Sequence, residues 1–234
     1  MHLAVGAGLC GALALGGCTY QGDLSTPGAQ KLTWFSYLNG DDLRAGCSAE
    51  GPDRYRLVNN AVYEEQLRSY ELRLESDSGG YYTARAQGVA TLTRVTLDDP
   101  LAPWRWQTSE TALTPAQGAA FTASLRESGF YAAPPVGKRF YSGFFYWWLV
   151  ACEDGEMRYN AWEYGMPGYD TLKFPAWLYA LDETGLAVNP PREIDLDKRL
   201  RDKNSGGRAG DDDPSLNFEI EMGRDGMVGR GPLF

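Results

Sequence analysis

Tyr141-Ser-Gly-Phe-Phe-Tyr-Trp-Trp-Leu-Val-Ala-Cys152-Glu-Asp-Gly-Glu-Met-Arg-Tyr-Asn-Ala-Trp162-Glu-Tyr164 decides the fold. Two apolar, aromatic-rich runs flank Asp154-Gly155, a pair that accepts the positive φ of a two-residue hairpin turn. Taking that pair as the loop sets the register. Cys152 then faces Met157, Val150 faces Tyr159 and Trp148 faces Ala161, an apolar face that belongs in a core. The opposite face pairs Ala151 with Arg158, Leu149 with Asn160 and Trp147 with Trp162. That face is mixed, either partly exposed or covered by a helix.

Upstream of the hairpin lies a well-signalled helix. Thr114-Pro115-Ala116-Gln117 supplies an N-cap, a proline at the first helical position and a capping box. Ala120, Phe121, Ala123 and Leu125 form its apolar stripe, and Gly129 stops it. Further strands precede it. Tyr70, Leu72 and Leu74 alternate with Glu71, Arg73 and Glu75, as in a half-buried strand. Residues 53 to 63 alternate more loosely. Residues 81 to 97 predict one long bent strand or two shorter ones, with Val89, Thr91, Thr93, Val95 and Leu97 on one face. Lys31 to Leu38 reads as a first strand, stopped by Asn39-Gly40-Asp41-Asp42. Phe174 to Leu181 reads as a short helix opened by Pro175.

These elements predict an α+β domain over residues 31 to 194, an antiparallel sheet of roughly six strands with one main helix packed on a face. An all-β sandwich is the alternative. From 195 to 234 the composition shifts to charge and glycine, and the stretch reads as a largely disordered tail. Within it, Leu216 to Met222 alternates as a strand that docks on an edge would.

The amino-terminal region carries a different signal. Residues 3 to 17 contain no charge, and the run closes on Leu15-Gly16-Gly17-Cys18. Its length suits a secretory signal better than a membrane span. This ending resembles the lipobox of bacterial lipoprotein precursors, although only Met1 and His2 precede the run where the family is basic. The resemblance implies that residues 1 to 17 are removed as a signal peptide and that the Cys18 sulfur carries a diacylglycerol, with palmitate as a typical acyl chain. Residues 18 to 30 then form a lipidated tether. Thr19, where an Asp would retain such a protein in the inner membrane, implies the outer membrane, facing the periplasm.

On this reading Cys10 leaves with the signal, and Cys47 and Cys152 remain as an even pair in an oxidising compartment. A disulfide between them is expected; two separate buried thiols are the other reading. The formal net charge of −9 falls wholly after Cys18. Nucleic acid, which calls for a basic patch, is not expected as a partner.

The single histidine is His2, so Ser-His and Cys-His mechanisms have no base in the mature chain. Two cysteines without histidine make a poor zinc site. No cofactor is expected. Glu64-Glu65, Asp41-Asp42, Asp98-Asp99 and Glu153-Asp154 are neighbours in sequence, but adjacent strand residues point to opposite faces. Trp104 and Trp106 share a face if extended, and Trp147 and Trp162 are cross-strand partners. These four are the candidate binding aromatics, for sugar rings or an apolar partner. The functional expectation is a non-catalytic envelope lipoprotein that binds an envelope protein or cell-wall glycan. An envelope glycan hydrolase using paired carboxylates is the alternative. A carrier of apolar ligands is a third reading.

Overall fold

Asp154 (φ 50°) and Gly155 (φ 76°) both take left-handed backbone, the geometry of a two-residue hairpin turn. A side chain at Gly155 would put its Cβ 2.6 Å from the Ala49 backbone nitrogen, so this position also needs glycine for close approach. The computed structural model describes residues 19–22, 24, 26–75, 79–88, 105–195 and 218–232. Around the turn run β6 (Phe145–Glu153) and β7 (Glu156–Glu163). Their register matches the expected one, with Cys152 opposite Met157, Trp148 opposite Ala161 and Trp147 opposite Trp162.

This hairpin forms one side of a six-stranded antiparallel sheet. Its other strands are β1 (Asp53–Ala61), β2 (Gln66–Glu75), β3 (Gly79–Gly88) and β4 (Gln107–Leu113). The order is β4-β3-β2-β1-β6-β7. The fold is therefore α+β on an antiparallel sheet, as expected. The expected strand over residues 81 to 97 is seen to Gly88, and Val89 to Leu97 lie outside the described residues.

One face of the sheet carries the anticipated helix, α3 (Pro115–Glu127), with its Thr114 and Gln117 capping box complete. A shorter helix, α4 (Phe174–Ala180), packs beside it. Between them and the sheet lies an aromatic core of Tyr55, Tyr70, Tyr82, Phe121, Trp147 and Phe174. The mixed face of the hairpin is thus the covered one.

The other face meets α1 (Pro27–Asn39) and a second sheet, and here three expectations are corrected. Residues 31 to 38 form helix, not strand. Thr26 caps α1 through its side chain, Pro27 opens it, and Gly40 closes it with left-handed backbone (φ 67°). Gln30, Thr33, Trp34, Tyr37 and Leu38 make one buried helical stripe. A five-residue helix, α2 (Asp41–Ala45), follows directly.

The stretch expected as a tether joins the core as well, because Tyr20 and Leu24 are buried. The stretch expected as a largely disordered tail supplies two strands: β8 (Phe218–Met222), in line with the alternation of Leu216 to Met222, and β9 (Met227–Pro232), which was not expected. With β5 (Arg139–Tyr141) they form the second sheet, in the order β5-β8-β9. Phe218, Ile220 and Met222 point from it into the same core as Trp34, Trp148 and Val150.

Candidate functional site

The predicted site residues are dispersed. Cys18 and Trp104 lie outside the described residues. Cys47 follows α2 and Cys152 ends β6, and the structure joins them with Cα atoms 5.6 Å apart. The pairing of Arg54 with Cys152 across β1 and β6 brings β1 alongside this link.

Trp147 and Trp162 are not available to a ligand. Both are buried under α4, with ring centroids 5.0 Å and 5.8 Å from Phe174. The physical reason is that α3 and α4 cover this face, so an indole pair that looks like a sugar shelf is core packing. Trp106 is half-buried against the α1-side core.

The α1 face of the sheet changes character from β7 towards β4. Trp148, Val150 and Tyr159 are apolar and buried, whereas Arg56, Glu71 and Arg85 form a charged cluster. The Arg56 guanidinium donates to both Asp42 carboxylate oxygens at 2.8 Å, to Glu71 and to the Tyr37 carbonyl oxygen. It stacks over the Tyr37 ring at 3.8 Å and lies 5.1 Å from the Tyr20 ring. Arg85 donates to the other Glu71 oxygen. Burial opposes the charge of Glu71, but Arg56 and Arg85 outweigh it and hold this carboxyl below its usual range. Burial also pushes the Tyr20 phenol up to about 12.

Beyond this cluster the same face opens to solvent. Arg73 stands opposite Tyr81, and Thr83 opposite Glu110. Tyr81 is 65% exposed, and Arg73 and Glu110 are exposed beside it. Alternation fixes these residues on the face that carries Arg56 and Glu71. Sequence reasoning missed this patch. Its one visible signal was the wet row of Glu71, Arg73 and Glu75.

On the helix face, Arg68 and Asp182 make a buried ion pair. Arg68 also donates to the Leu186 carbonyl, and Tyr70 donates to Asp182 at 2.9 Å. These contacts strap residues 182 to 189 across the sheet.

Among the described residues, several carboxylates of the hydrolase reading are engaged. Asp42 pairs with Arg56, and Glu65 with Arg192. Asp98 and Asp99 lie outside the described residues. At the hairpin end, Glu153 accepts from the Tyr55 hydroxyl at 2.9 Å and the Tyr131 hydroxyl at 2.7 Å. Nearby Asp53 accepts from the Asp154 backbone N–H at 3.0 Å. Burial, and the negative charges of Glu153 and Asp154, raise the Asp53 carboxyl despite that bond. Among the described residues no group of three or more His, Cys, Asp or Glu side chains is arranged to hold a metal ion. No protein-family model, no curated protein and no solved structure matches this chain.

Proposed function

We propose that the chain is a lipid-anchored envelope protein, held at the outer membrane by Cys18, whose domain binds an envelope protein or cell-wall glycan without catalysing a reaction. The observation that supports it best is the Cys47–Cys152 pair at disulfide distance, which suits an oxidising compartment and therefore export. No helix among the described residues is long and apolar enough to cross a membrane. Attachment through acyl chains on Cys18 fits that finding, since two or more chains anchor stably where one does not.

The binding reading fits the packing of the domain better than the hydrolase reading. A glycosidase needs two carboxylates roughly 5–10 Å apart across a cleft that admits sugar. Asp53 and Glu153 lie near each other, but phenols and a backbone amide already occupy them, and Asp42 and Glu71 are held together by Arg56. The indoles Trp147 and Trp162, which would have stacked on sugar, are inside the core.

Crosslinking in intact cells followed by purification from membranes tests the binding reading. Recovery of one stoichiometric envelope protein, or of wall glycan, is the expected outcome. Recovery of neither counts against it. Cys18→Ser should move the protein from the membrane fraction to the soluble one, and unchanged fractionation would rule out the anchor.

A further inference from the structure

We propose that the domain lies flush on a phospholipid bilayer, on the face where α1 meets the open part of β2, β3 and β4, because the chain is locked into the core two residues beyond Cys18. This inference rests on the lipid-anchor reading above. Tyr20 is 4% exposed. Its backbone N–H donates to the Ser36 hydroxyl at 3.0 Å, and its ring stands edge-on to Tyr37 at 4.8 Å. Two residues of fully extended chain span about 7 Å at most. An acylated Cys18 therefore cannot lie far from the Tyr20 backbone, and exposed Thr19 leads outward from this point.

The headgroup layer on each side of a bilayer is only about 5–8 Å thick. A globule whose lipid leaves it within such a distance has its adjoining surface among the headgroups. That surface can be named. Leu32 stands one turn before Ser36 on the same ridge of α1 and is 63% exposed, and Lys31 beside it is exposed. On the sheet side of Tyr20 come Glu71 and Arg85, then Arg73 and Tyr81. Lysine and arginine stems, a leucine and a phenol suit a headgroup layer, where the apolar part sinks and the polar tip stays wet. Glu71 pairs with Arg85, Glu75 with Arg73, and Glu110 lies on the same face, so the patch carries no net positive charge and the contact is enforced by the short link rather than by attraction to anionic lipid. The arrangement leaves the α3 and α4 face turned away from the membrane, free for a partner.

The test uses full-length acylated protein in vesicles of phosphatidylethanolamine and phosphatidylglycerol that carry a headgroup-level nitroxide lipid. A fluorophore is attached at Leu32→Cys, Tyr81→Cys or, on the exposed end of α3, Glu127→Cys. Quenching at positions 32 and 81 is expected to exceed that at 127 by roughly twofold or more, since the domain is thicker than the headgroup layer. A flexible Gly/Ser spacer of about twelve residues, inserted between Cys18 and Thr19, leaves the Tyr20 contacts intact. Its ends average roughly 20 Å apart, so it should bring quenching at 32 and 81 down towards the level at 127 while flotation with vesicles is unchanged. Floating protein with equal quenching at all three positions, or quenching that ignores the spacer, overturns the orientation and leaves the anchor standing. Protein that does not float overturns the anchor and this inference together.

Discussion

The Arg56 guanidinium is 1% exposed and lies between Asp42 and Glu71, whose other cationic partners, Arg54 at 3.6 Å from Asp42 and Arg85 on Glu71, are more exposed. Arg56→Met keeps much of the side-chain volume but leaves Asp42 and Glu71 with only Arg54 and Arg85, so a loss at the lower end of about 3–5 kcal/mol is expected in urea unfolding. The pH dependence follows from Glu71. Its folded-state pKa is depressed, so its contribution is fully present above the ordinary value of 4.5 and is lost as pH falls through the folded value. Wild-type stability should therefore decline below about pH 4.5, and Glu71→Gln should flatten that part of the decline. Asp53 works in the opposite sense. Its pKa is raised, so ionisation costs stability, and the cost disappears as pH falls through the raised value. Asp53→Asn keeps an oxygen for the Asp154 N–H and removes the charge. A gain of about half a kcal/mol at pH 7 is expected, kept small by screening at this partly exposed site, and vanishing in acid. A loss at pH 7 would show that the carboxylate itself is needed.

At the scale of elements, local chemistry made some parts readable and distance hid others. The β6–β7 register was legible because the Asp154-Gly155 turn fixes it without reference to the rest of the chain. The cap of α3 was legible for the same reason. α1 was misread because Leu32, Trp34 and Phe35 satisfy a short strand-like run as well as a helix. The cue that separates them lay just outside the run, in Thr26-Pro27 and Gly40. Alternation marked β8 as a docking strand, but its place in a second sheet was hidden by separation: β5 has three residues, and its Arg139 meets Glu221 of β8 across 82 positions. Trp147 and Trp162 read either as an exposed pair or as packing under a helix, because Arg158 and Asn160 share their face. Asn160 is in fact spent on the Phe130 carbonyl, and α4 covers the indoles. The misread tail gives a direct prediction. Truncation after Asp195 removes Phe218, Ile220 and Met222 from the α1-side core. Each contributes roughly 1.5–3 kcal/mol by burial, a sum comparable to the whole stability of a domain. The truncated protein should lose its cooperative unfolding transition and bind a hydrophobic dye. A sharp transition near that of the full chain would mean that the second sheet is dispensable.

Across the whole molecule, the Cys47–Cys152 link spans 105 positions and encloses β1, β2, β3, β4, α3, β5 and almost all of β6. Five of the six strands of the main sheet therefore lie in one covalent loop, and the loop is closed between β6 and the chain segment just before β1. The segment from Tyr20 to α2 and the strands β8 and β9 reach the core from outside it. In the chain-entropy model a loop of this length is worth roughly 4–5 kcal/mol, because closing it removes unfolded conformations. The sheet inside the loop keeps its backbone pairing when the bond is cut, so reduction should weaken the protein without rearranging it. A reductant, or Cys47→Ser with Cys152→Ser, should lower the urea midpoint while leaving the far-ultraviolet circular dichroism unchanged in water. Protein taken from cells under thiol-blocking conditions should yield a peptide containing Cys47 joined to one containing Cys152 on non-reducing mass analysis. Two blocked thiols in that experiment would contradict the bond and, with it, the oxidising compartment from which export was argued.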